Sequence, residues 1–143
     1  MNLEDLENDE PFGQKIYESI PKGARAEWGV KIIGAVAKHL NEVPDVVKEL
    51  IAIVEDGSHL SQTKEQFGKI NEYATANPNF NPAAFLQLAE GVAKMIFNET
   101  GLPEPFGVQA GWYVPLSAKR AADHIDKPDL DEALVKLIFK NVG

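Results

Sequence analysis

The chain contains no cysteine. That excludes disulfide frameworks, thiolate metal sites and cysteine nucleophiles together, and it accords with a reducing cytosol. Long hydrophobic runs are also missing. The longest, Leu50 to Val54, is five residues, far short of the roughly 20 that a membrane helix needs. Basic clusters are scarce as well: Lys119-Arg120 is the one adjacent Lys/Arg pair, whereas a phosphate backbone is met by clustered lysine and arginine. Neither direct nucleic-acid binding nor membrane insertion is expected.

Chemistry-bearing patterns are equally thin. The three histidines, His39, His59 and His124, include no pair one helical turn apart, as a helical zinc site requires. Gly101, Gly107 and Gly111 do not space as a phosphate-binding loop. Asp123, Asp126, Asp129 and Asp131 lack the central glycine of a calcium loop, and Pro128 interrupts them. Ser117, Asp123 and His124 have the residue types of a catalytic triad. However, adjacent residues on a helix point about 100° apart, and no glycine-flanked serine elbow is present. The expectation is therefore a non-catalytic chain with no catalytic residue, no cofactor and no metal.

What is present is helical patterning. At 143 residues, 44% of them hydrophobic, the chain suits one domain that buries roughly two-thirds of its unfolded surface. Residues 1–10 hold five acids and no base, the wrong charge for a signal peptide, and read as a mobile acidic lead-in with one helical turn around Leu3 and Leu6. A cytoplasmic location is expected. Residues 11–143 then read as a single helical domain.

A short helix is expected from Pro11 to about Ile20. Trp28, Ile32, Val36 and Leu40 recur every four residues and predict a helix from Ala24 to Leu40. Pro44 suits the first turn of the next, whose stripe is Val47, Leu50, Ile51 and Val54 and whose end is Asp56-Gly57. Ser61 is expected to cap a fourth helix bearing Phe67 and Ile70, stopped by Asn77-Pro78. Asn81 and Pro82 open a fifth, with Phe85, Ala89, Val92 and Ile96 along one face and Gly101 after its last turn. Ser117 to Ile125 and a final helix capped by Asp129, with Leu130, Leu134, Leu137 and Ile138, complete the series. The fold class is all-α, a single-domain bundle or short helical array of six to seven helices.

Thr100 to Arg120 stands apart, with three prolines and three glycines around Phe106, Trp112 and Tyr113. It reads as a proline-broken crossover that either packs its aromatics on the core or displays them as binding anchors. Next to it lie Asp123, Asp126, Asp129, Asp131 and Glu132, five acids in ten residues. These form an acidic rim for a partner, or else a solvated loop whose last acids complement a helix dipole. The eight residues just named are the partner-binding candidates.

The stretch ARAEWGVKIIGAVAKHL, followed by VPDVVKELIAIVEDG, resembles the opening helices of some small all-helical bacterial immunity proteins, which neutralise toxins. The resemblance covers residues 24–57, and residues 83–125 by helical character. It implies a toxin-binding role without catalysis and carries no residue-specific assignment. The net charge of −8 agrees with a basic protein partner such as a nuclease toxin domain. The expected function is therefore a protein-binding inhibitor. The alternative is a helical small-molecule-binding or regulatory module with a pocket near residues 106–113.

Overall fold

A Trp/Ile/Val stripe at helical spacing needs a partner surface, and the computed structural model shows which surface each stripe finds. It describes residues 2–7, 9–58, 60–99 and 106–142, and of residues 10, 98, 99 and 106–111 it describes the backbone only. Seven α-helices and no strand occur among the described residues: α1 (Glu10–Ser19), α2 (Arg25–Ala37), α3 (Asp45–Asp56), α4 (Thr63–Ala76), α5 (Ala83–Glu99), α6 (Phe106–Ile125) and α7 (Pro128–Ile138). The all-α class and the count of helices match the expectation.

Local signals start and stop these helices. The backbone N–H of Phe12 donates to Asp9 Oδ1 at 3.0 Å, which caps α1. Gly57 ends α3 in the left-handed region, at φ 73°, a conformation that glycine adopts without steric cost. Asn77 closes α4 by donating from its side chain to the Tyr73 carbonyl at 2.9 Å.

Five boundaries differ from expectation. Helix α2 ends at Ala37, three residues before Leu40. Pro44 is the N-cap of α3 rather than part of its first turn. Ser61 does not cap α4, because a 3₁₀ turn at Leu60–Gln62 precedes it and Thr63 Oγ1 bonds back to the Leu60 carbonyl. Asn81-Pro82 forms a cis peptide ahead of α5, which starts at Ala83. Asp129 lies inside the first turn of α7, with Lys127 at the cap position. There Asp129 still complements the helix dipole.

The larger correction concerns residues 106–120. Sequence punctuation predicts a broken crossover, but α6 runs unbroken through Pro115. A proline inside a helix removes one hydrogen bond, here the one to the Gly111 carbonyl, and costs about 3 kcal/mol. Val114, Leu116, Ala118, Ala121 and Ala122 are all buried along this helix. Burying residues of this kind contributes up to about 1.5–3 kcal/mol for each large side chain, so packing outweighs local propensity. Residues 100–105 of the predicted crossover, including Gly101, lie outside the described residues.

Helix α5 is the hub. It packs on α6, α4, α2 and α3, and ten of its positions from Phe85 to Phe97 are buried. The single apolar face expected for it is therefore too narrow; it is enclosed on nearly every side. Helix α2 approaches it closely at Gly29, where a Cβ would meet Val92 Cγ1 at 2.8 Å. Helix α7 closes the other side of α2, and the Trp28 indole donates to the Leu137 carbonyl at 2.9 Å. The turn of helix at Leu3–Leu6 is a 3₁₀ turn, and both leucines are buried in the common core.

Candidate functional site

Because α6 is one helix, its adjacent aromatics are forced onto different neighbours. Trp112 lies against α1: a Cβ on Gly13 would overlap the indole and approach the Trp112 Cα to 3.0 Å. Its Nε1 donates to the Leu6 carbonyl at 3.3 Å. Tyr113 faces α5 instead, where a Cβ on Gly91 would meet its Cδ1 at 3.0 Å. The two rings do not form one aromatic anchor. The side chain of Phe106, the third aromatic candidate, lies outside the described residues.

Tyr113 belongs to a polar cluster that the sequence reading missed. Burial raises its hydroxyl pKa, the charge of Glu90 raises it further, and a hydrogen bond with Ser117 opposes the shift. Burial likewise raises the Glu90 carboxyl, against a 3.4 Å hydrogen bond from Asn71 Nδ2 and the charge of Lys94. Glu90 is half-buried in the middle of an apolar helix. In the sequence it looks like an ordinary surface acid one turn before Lys94.

The acidic candidates divide. Glu132 pairs with Lys136 at 3.4 Å along α7, and Asp129 is exposed in the first turn of that helix. Asp123, Asp126 and Asp131 converge. Burial raises the Asp131 carboxyl, and Asp123, Asp126 and Glu4 add to the shift in that order. The turn that joins α6 to α7 brings them together: Asp126 adopts φ 56°, and its N–H bonds to the Ala122 carbonyl at 2.8 Å. Aspartate tolerates this left-handed conformation better than most residues. Glu4, supplied by the N-terminal 3₁₀ turn, was not among the candidates.

One part of this face is neutralised. Lys119 Nζ sits 2.6 Å from Asp123 and 3.4 Å from Glu7. Burial works against its charge, but Asp123 and Glu7 outweigh that and raise its pKa. Arg120 also binds Glu7, through Nε at 3.3 Å and Nη2 at 3.4 Å. The hydrogen bond from Arg120, opposed by partial burial and helped by both cationic charges, holds the Glu7 carboxyl below its usual range. The one basic pair of the sequence thus fastens the N-terminal segment to α6. Trp112 lies eleven positions before Asp123, about 16 Å along the helix axis, and its indole is engaged with Leu6 and Gly13.

Beside the acidic face is an open cleft of about 470 Å³. Its walls are the turn after α2 (His39 to Glu42), the α4–α5 connection (Asn79 to Pro82), the end of α6 (His124 and Ile125) and Lys127. The Phe80 ring stands edge-on to Tyr73 at 6.2 Å and stacks with Phe85 at 6.4 Å. A smaller cavity of about 100 Å³ lies beside Trp28. The side chains of residues 106–111, where the alternative reading places its pocket, lie outside the described residues. Among the described residues no group of three or more His, Asp or Glu could hold a metal ion, and no helix is long and apolar enough to cross a membrane. No protein-family model matches the chain, and neither a curated protein nor a solved structure matches it significantly.

Proposed function

We propose that this chain is a non-catalytic inhibitor that acts in the cytoplasm by binding a basic protein through its acidic face, as a toxin-neutralising immunity protein does. What supports the reading is that four exposed acids lie within electrostatic reach of one another. Asp123, Asp126 and Glu4 each add to the rise of the Asp131 carboxyl, although Lys119 pairs with Asp123. Like charges brought together destabilise the free protein. A basic partner relieves that repulsion, and complementary charge speeds encounter while rejecting wrong partners. The net charge of −8 supports the same sign of partner.

The test is affinity capture from the source organism with wild-type protein and the triple variant Asp123→Lys, Asp126→Lys, Asp131→Lys as parallel baits. A basic protein held by the wild type and lost by the variant is expected, with an association rate that falls steeply as salt is added. All three positions are exposed, but Asp123→Lys also removes the 2.6 Å ion pair to the buried Lys119. An unchanged helical circular dichroism spectrum and urea midpoint are therefore required of the variant before its lost binding counts. A partner that binds both baits with equal rates would overturn the reading.

A further inference from the structure

We propose that the N-terminal 3₁₀ turn, Leu3–Leu6, together with Glu7, is a strap coupled to the acidic face: a basic partner tightens it, and its release weakens the partner. This regulation rests on the reading just given. The strap is held at three points. Leu3 and Leu6 are buried in the common core, the Trp112 indole donates to the Leu6 carbonyl at 3.3 Å, and Arg120 donates to Glu7 at 3.3 and 3.4 Å. A single turn has little stability of its own, so its order depends on these contacts.

Two links join the strap to the face. The first is Lys119, a buried residue whose ammonium lies 2.6 Å from Asp123 and 3.4 Å from Glu7. A buried cation must be paired, and this one is divided between a carboxylate of the face and one of the strap. A cation that engages Asp123 from solvent leaves Lys119 more fully to Glu7. Loss of the strap leaves Lys119 to Asp123 and withdraws that negative charge from the face. It also uncovers Arg120, whose charge then repels a basic partner. The second link is Glu4, exposed on the same turn and within electrostatic reach of Asp131. Their repulsion opposes docking of the strap, and a cation laid over the pair relieves it. Both links act with one sign. By linkage, the factor by which a partner favours the docked strap is the factor by which the docked strap favours the partner.

The test has two arms, both read by NMR on ¹⁵N-labelled protein. The first uses no partner and follows amide exchange at Asp5 and Glu7, whose N–H groups bond to the Asn2 and Glu4 carbonyls in the folded turn. Asp131→Asn should slow that exchange by about 1.5- to 5-fold, the range for relieving one exposed charge pair. The second arm titrates a tetra-lysine peptide into wild type, Glu4→Gln and Leu6→Ser. The peptide should shift Asp123 and Asp131 in the wild type and bind Glu4→Gln more weakly. Leu6→Ser places a hydroxyl in a buried site and undocks the strap, so it should also weaken the peptide, by about 1.5- to 5-fold, although it changes no charge. Leu3→Ser should repeat that loss, and it replaces Leu6→Ser if the latter lowers the helical circular dichroism signal. Unchanged exchange in Asp131→Asn, or wild-type peptide affinity in the serine variants, would overturn the coupling and leave the acidic face standing. A peptide that shifts neither Asp123 nor Asp131 would overturn both readings.

Discussion

The indole of Trp112 donates a hydrogen bond to the carbonyl of Leu6 at 3.3 Å, across 106 positions of sequence. The contact closes the N-terminal 3₁₀ turn onto α6. Leu6 is fully buried beside it, and Glu7 receives Arg120 and Lys119 just beyond. Gly13 completes the arrangement by letting α1 lie directly on the ring. The most conspicuous residue of the aromatic segment is thus committed to assembling the fold.

This geometry sets a first prediction. Gly13→Ala forces a methyl group into the indole and should destabilise the protein by about 1–3 kcal/mol, the usual cost of overpacking. Trp112→Phe removes the donor and should cost about 1 kcal/mol for the lost hydrogen bond. Urea unfolding reports both as shifts in midpoint. The double variant should lose less than the two effects added together, since the smaller ring makes room for the methyl. Strict additivity would mean that Gly13 and Trp112 do not touch.

A second prediction addresses the hub. Ile32 and Phe85 are both wholly buried in the common core. Truncating either to alanine should cost roughly 2–5 kcal/mol, through lost transfer energy and the cavity left behind. Unfolding midpoints equal to that of the parent would place both side chains outside the core.

These cores were legible because periodicity is a direct record of one buried face. Trp28, Ile32 and Val36 announce α2, and Leu130, Leu134 and Ile138 announce α7; all six are buried. Of α6, Ser117 to Ile125 was legible as helix, but the stretch from Phe106 to Leu116 was not. Proline and glycine report local propensity, and burial of Val114 to Ala122 against α5 overrides it. The acidic face was legible in part, since Asp123, Asp126 and Asp131 are near in sequence. Glu4 joins them only through the docking of Leu3 and Leu6, which no local pattern encodes. The cleft unites residues near 40, 80 and 125, so it exists only once the chain has folded.

The Glu7 latch predicts a pH effect. Its folded carboxyl pKa lies below the ordinary value, so it contributes stability that is present above the unfolded pKa of about 4.3 and is lost as pH falls through the folded value. Glu7→Gln should therefore be less stable than the parent at pH 7, by about 0.2–1 kcal/mol for a partly exposed ion pair. The difference should close as pH falls through the folded value, where the parent carboxylate itself becomes protonated. Urea midpoints across this range measure it. A difference that persists unchanged in acid would assign the effect to packing rather than charge.

Glu90 predicts the opposite sign. Burial raises its folded pKa, with the Asn71 hydrogen bond and the Lys94 charge opposing. Between the unfolded and folded values the native state holds the extra proton, so stability falls as pH rises through that window. Above the folded value the cost of the half-buried charge is fully present. Glu90→Gln removes the charge, keeps the shape and leaves an amide oxygen to accept from Asn71. The variant should be more stable than the parent at pH 7, by an amount on the order of 1 kcal/mol or less, since solvent screens a half-buried group. That advantage should vanish below about pH 4, where the parent carboxyl is neutral too. The same substitution removes the negative charge beside Tyr113, which raises that hydroxyl pKa after burial does. Tyr113 should therefore titrate at lower pH in the variant, as read from its ring carbon shifts. Loss of stability at pH 7 would show that Lys94 and Asn71 stabilise the carboxylate by more than burial costs it, and an unmoved Tyr113 titration would uncouple the two groups.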